Sequence, residues 1–188
     1  MMRLIRDSFS SKPELATAIA ASLLTGEQRW SNTPNDLISH FLYGNTENAL
    51  SFNATMNCWE MILYAAFLCG QISGKQIKNF LESTYPTGRQ MTTMGFNRDL
   101  PFYPTRKQNA SSKTKYPQPG DLVYFTDGTP FPGHVAISLF GSVVVSLWEF
   151  PNYDDGKHNR IQMIDISNLP GIVQIGPPLT EAIKAGKI

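Results

Sequence analysis

Leu15, Ile19 and Leu23 recur every four residues, and that spacing predicts an amphipathic helix over 13–25. A second stripe, Leu37, Ile38, Phe41 and Leu42, follows Asn35 and Asp36, either of which can cap a helix, and stops at Gly44. Residues 45–55 read as a polar loop. The third apolar segment is different. From 58 to 69 only Glu60 is charged, and Trp59, Met61, Ile62, Leu63, Phe67 and Leu68 fall on every side of a helix. A helix that is apolar all round is buried. Asn57 is a good N-cap, Glu60 stands where a capping box needs it, and Gly70 ends the helix. A fourth helix over 73–83 carries Ile77, Phe80 and Leu81 on one face.

Beyond it the pattern changes. Residues 84–118 are rich in Pro, Gly, Ser, Asn and Lys, which predicts a long surface excursion with little regular structure, a lid or an insertion. From Pro119 the texture is that of strands: 122–125, then 134–139, a tight turn at Gly141-Ser142, and a hairpin partner over 143–150. Residues 161–166 and 172–175 add two more. Helices first and strands afterwards indicate α+β, with helices packed on an antiparallel sheet of about five strands. The expected organisation is one domain over 1–188, with a helical N-terminal part over 1–50 and a core over 57–150.

Composition adds limits. A chain of 188 residues can bury a sizeable core, and a net charge of +1 gives no general attraction to nucleic acid or anionic membranes. No run approaches the roughly 20 apolar residues of a membrane span. The apolar run 15–24 follows two arginines, but Asp7, Lys12, Pro13 and Glu14 interrupt the approach and Thr25-Gly26-Glu27 is a poor cleavage site, so a helix is the better reading than a leader peptide. The two cysteines, Cys58 and Cys69, would lie about 16 Å apart along one helix, too far for a disulfide. Two Cys and three scattered His give no zinc spacing.

The candidate chemistry starts at Cys58. A thiol in the first turn of a buried helix is favoured as thiolate by the helix dipole and the free N–H groups, which can also hold an oxyanion. A small buried core residue is the competing interpretation of Cys58, and it suits Cys69 well. His134 opens an apolar strand directly after Pro130-Phe131-Pro132-Gly133. A histidine there can reach a helix N-terminus and serve as general base, giving an activated nucleophile for acyl transfer. His40, on an amphipathic helix, and His158, in a polar loop, carry no such signal.

Asn57-Cys58-Trp59-Glu60 opening a buried helix, Pro119-Gly120-Asp121-Leu122-Val123-Tyr124-Phe125, and Gly133-His134-Val135-Ala136-Ile137-Ser138-Leu139 together resemble the NlpC/P60 superfamily of papain-like cysteine enzymes. The resemblance covers about half the chain, from Asn57 to about Trp148. It implies a catalytic helix packed on an antiparallel sheet, Cys58 as nucleophile, His134 as base, and a third polar residue on the next strand orienting the imidazole. That residue is usually His, Asn or Gln. Here the ungapped position is Ser146, with Glu149 and Asn152 close behind if the hairpin register slips. Trp59 and Trp148 are candidates to wall a substrate cleft, or core aromatics. The family pattern has Asp before the Cys and Ser-Gly after it; Asn57 and Trp59-Glu60 stand there instead, which sets the chain apart from the usual cell-wall peptidases. It resembles instead the divergent papain-like domains of bacterial polymorphic toxins and secreted effectors.

The resemblance implies a hydrolase acting on amide bonds (peptidase, amidase or deamidase) through a Cys58 thioester, needing no metal or organic cofactor. Its expected partners are a protein or peptide substrate and, for a toxin, a cognate immunity or carrier protein, with no nucleic acid. The expected location is secretion or delivery into a target cell without a cleavable leader, or otherwise the cytoplasm. The same fold leaves open an acyltransferase or transglutaminase-type enzyme, and a binding module that has lost catalysis.

Overall fold

The computed structural model describes residues 15, 27–31, 35–84, 106–109, 116–125, 133–148, 160–168, 172–186 and 188. Of the expected helix over 13–25 only Leu15 falls among them, and it is helical. The described elements are β1 (Arg29–Trp30), α1 (Asp36–Ile38, running on as a π-helical turn over Ser39–Tyr43), β2 (Thr55–Met56), α2 (Cys58–Leu68), α3 (Gly74–Thr84), β3 (Arg106–Asn109), β4 (Asp121–Phe125), β5 (His134–Phe140), β6 (Val143–Leu147), β7 (Ile161–Asp165), β8 (Ile172–Pro178) and α4 (Leu179–Lys184). The protein is α+β, with helices on an antiparallel sheet.

The sheet has six strands in the order β3-β8-β4-β5-β6-β7. The five strands expected from the sequence are all present. The sixth, β3, comes from the segment expected to lack regular structure, and it pairs with β8 from Arg106↔Ile175 to Asn109↔Ile172. Arg-Lys-Gln-Asn has no apolar alternation, because an edge strand can form on backbone hydrogen bonds alone. A second departure lies upstream, where Thr55–Met56, at the end of the expected polar loop, pairs in parallel with Arg29–Trp30. Asp36 pins this pair to α1, accepting from the Thr55 N–H at 2.8 Å and the Thr55 hydroxyl at 2.9 Å.

The sheet carries apolar side chains on both faces. Leu122, Tyr124, Val135, Ile137, Leu139, Val145 and Leu147 join one cluster with the helices, while Val123, Ala136, Val144, Trp148, Ile166 and Val173 form a second cluster. Strand alternation places these two sets on opposite faces. Helix α2 lies at the centre of the first cluster, with nine of its eleven residues buried. Its capping box is complete: Asn57 Oδ1 accepts from the Trp59 and Glu60 N–H groups, and Glu60 accepts from the Asn57 N–H at 2.8 Å. Glu60 is fully buried and takes a second hydrogen bond, from Asn35 Nδ2 at 2.7 Å. Asn35 also caps α1 through the Ile38 N–H. One buried carboxylate therefore joins the starts of two helices.

Candidate active site

Strand β5 is registered with β4 as far as Phe125↔His134, and β6 with β7 as far as Leu147↔Ile161. Between β5 and β6 the register stops earlier, at Ile137↔Val145. Beyond that pair the rings of His134 and Trp148 still stack across the two strands. The N-terminus of α2 meets this end of β5. The backbone of Val135 hydrogen-bonds the Cys58 sulfur, and the Ser146 hydroxyl donates to the Val135 carbonyl at 2.5 Å. Two side chains thus serve the Val135 backbone where β5 has lost its register with β6.

Cys58 and Cys69 are both buried free thiols, at the two ends of α2 as expected. Burial pushes the Cys58 thiol from 9.0 to about 12. The backbone N–H groups of Val135, Cys58 and Trp59 pull the other way, and the nearby Glu60 charge reinforces the rise. The expected thiolate is therefore not the resting form: desolvation outweighs the helix end and its N–H groups. The expected oxyanion donors also narrow. Asn57 Oδ1 already engages the Trp59 and Glu60 N–H groups, so of the backbone groups that act on the sulfur the Cys58 and Val135 N–H groups are not claimed by the N-cap.

His134 is half-buried and precedes Val135 on the strand, so its ring leaves β5 on the other face, with Ala136. There it stacks on Trp148 (centroids 4.2 Å apart, planes 28° from parallel) and meets Phe125 at 5.7 Å. Trp148 itself is held by Phe125 at 5.2 Å and by its Nε1, which donates to Gln162 O at 3.4 Å. The imidazole Nε2 is buried without a hydrogen-bond partner, and burial lowers the His134 pKa from 6.5 to about 3. The thiol thus meets the Val135 backbone while the imidazole of the preceding residue lies on the other face, and Cys58 Sγ is not hydrogen-bonded to His134 Nε2.

Of the other expected site residues, Ser146 is fully buried and its hydroxyl donates to the Val135 carbonyl, while the imidazole stacks on the Trp148 ring. Glu149 and Asn152 lie outside the described residues. Trp59 is buried against Tyr124 at 5.8 Å, a core contact rather than a cleft wall. His40 bonds Asn48 O at 2.8 Å, and His158 is outside the described residues. Sequence reasoning missed Val135, whose contribution is its backbone, and Phe125, whose role follows from cross-strand pairing with His134. Tyr124 was missed too. Its hydroxyl is buried and unpartnered, and Gly176 makes room for its ring, since a Cβ there would lie 2.9 Å from Cε2.

No family model, curated protein or solved structure matches this chain. Among the described residues no helix is long and apolar enough to cross a membrane, and no group of three or more His, Cys, Asp or Glu is placed to hold a metal ion.

The two shifts bound a pH window for stability. His134 stays neutral when folded but gains a proton when unfolded below 6.5, so it destabilises the fold progressively as pH falls from 6.5 towards about 3. Cys58 keeps its proton when folded but loses it when unfolded above 9.0, so stability falls as pH rises from 9.0 towards about 12. Between these limits neither group costs stability. Urea unfolding of wild type should lose about 1.4 kcal/mol per pH unit below 6.5 relative to His134→Gln. Parallel profiles for the two proteins would show that the imidazole is not buried in this way.

Proposed function

We propose that this chain is a thiol-dependent hydrolase of papain-like, NlpC/P60 type, acting on an amide bond in a protein or peptide. The observation that carries the reading is the seat of the Cys58 sulfur on the Val135 backbone, one residue from His134, whose buried Nε2 has no partner. The imidazole is held by two aromatic rings and has one nitrogen without a polar partner; burial makes it a weak base at rest, so the reading requires substrate binding to bring it to the thiol.

In the reaction, Cys58 Sγ forms a bond to the substrate carbonyl carbon as its proton passes to the His134 imidazole, which first turns from its stack on Trp148 towards the thiol. The carbonyl oxygen takes the negative charge and accepts from the Cys58 and Val135 N–H groups. The C–N bond breaks as the imidazolium gives its proton to the leaving amine. Water then attacks the thioester carbon, losing a proton to the imidazole, and the C–S bond breaks to return the thiol. An amine in place of water would give transfer. The resting pair is neutral, so proton transfer accompanies attack rather than preceding it.

One observation favours a second reading. A thiol pushed up to about 12 by burial is also what a binding module with a silent cysteine would have. p-Nitrophenyl acetate separates the two. The enzyme reading expects a burst of p-nitrophenol and an acetyl group on Cys58 by mass spectrometry, none at that position in Cys58→Ala, and acetylation slower by a factor of about 100 or more in His134→Ala. Acetylation of Cys58 no faster than that of Cys69 would leave the binding module.

A further inference from the structure

The imidazole-orienting residue expected on β6 does something else in this fold. Ser146 is fully buried, and its hydroxyl donates to the carbonyl of Val135, the residue whose backbone bonds the Cys58 sulfur. Within an extended strand the N–H and C=O of one residue point to the same side. The carbonyl that Ser146 grips and the N–H beside the thiol therefore point to the same side of β5, towards β6, beyond the last registered pair Ile137↔Val145. Without the hydroxyl a buried carbonyl would lose its partner, and the Val135 peptide groups would lose the contact that fixes their tilt on the β6 side.

We infer that Ser146 is a positioning residue for the thiol: it grips the Val135 carbonyl and thereby aims the Val135 N–H at Cys58 Sγ, and at the oxyanion that forms there. This inference rests on the proposed thiol chemistry for its purpose but not for its test. It also separates the roles along β6. Ser146 acts on the nucleophile through the backbone, and Trp148, two residues on, acts on the base through ring stacking.

The experiment is iodoacetamide labelling of the folded full chain, read at Cys58 by mass spectrometry from pH 7 to 9, with Cys69 as internal control. Ser146→Ala should label Cys58 about tenfold more slowly at each pH, as expected for the loss of one aligned donor to a thiolate. The same factor should appear in a His134→Ala background, because the route through Val135 does not involve the imidazole. Ser146→Thr keeps the hydroxyl and should stay within about threefold of wild type. An unchanged or faster rate in Ser146→Ala overturns the inference, and so does an effect that disappears without His134. If Ser146→Ala does not fold, Ser146→Thr decides: a wild-type rate with Val135 amide exchange as slow as in wild type sustains the inference, and a tenfold departure overturns it. Turnover plays no part in these rates, so failure of the acetylation test and failure of this one are read separately.

Discussion

Glu60→Ala should lower stability by about 4 kcal/mol, because it removes the buried acceptor shared by the Asn35 side-chain amide and the Asn57 N–H. The carboxylate accepts from Asn35 Nδ2 at 2.7 Å and from the Asn57 N–H at 2.8 Å, and it is fully buried. Asn35 caps α1 and Asn57 caps α2, so one substitution loosens two helix starts together. Glu60→Gln retains an acceptor oxygen and should lose only about 1–2 kcal/mol. Its effect on the thiol runs the other way. The Glu60 charge opposes the Cys58 thiolate, and its removal should speed Cys58 labelling. Urea unfolding gives the first quantity and iodoacetamide rates the second. A Glu60→Ala protein within 1 kcal/mol of wild type would mean that the two helix starts hold without their shared carboxylate.

The second large effect is expected at Gly74→Ala, with a loss of about 3 kcal/mol. Helix propensity predicts a gain here, since Gly74 opens α3 and alanine is the better helix former by about 1 kcal/mol. Sterics decide otherwise. A Cβ on Gly74 would lie 1.7 Å from the backbone oxygen of Thr46 and 2.6 Å from its carbonyl carbon. Backbone cannot rotate aside as a side-chain tip can. Helix α3 would have to shift away from the loop after α1, drawing Ile77 and Leu81 out of the main cluster. The measurement is a thermal melt beside a control such as Lys75→Ala. An unchanged or higher Tm for Gly74→Ala would show that the two backbones can separate freely.

Much of the architecture was legible because patterns in the chain have direct physical causes. The all-round apolar run after Asn57 could only be a buried helix, and the alternating segments from Leu122 onward could only be strands with opposed faces. The capping box follows from Asn57 and Glu60 alone, although the reach of Glu60 to Asn35 does not. Edge strand β3 escaped detection because pairing with β8 uses backbone groups, which polar residues supply as well as apolar ones. The candidate site was legible in its members but not in its arrangement. Placing Cys58 at a helix start says nothing of how deeply the thiol is buried, and burial reverses the pKa shift expected there. Counting along the hairpin points to Ser146, but counting could not reveal that the β5–β6 pairing ends at Ile137↔Val145 and that the hydroxyl goes to a carbonyl.

Strand order also has a consequence for the chain as it is made. Strand β4 lies at the heart of the sheet, yet one of its two neighbours, β8, follows it by roughly 50 residues. At ribosomal speeds of about 5–20 residues per second, that partner emerges seconds later. During the interval one edge of β4 lacks its partner strand, and the ring of Tyr124 lacks the Gly176 that makes room for it. The nascent protein must therefore wait, with an apolar strand edge available to any other extended chain, until β8 slides between β3 and β4 and closes the sheet.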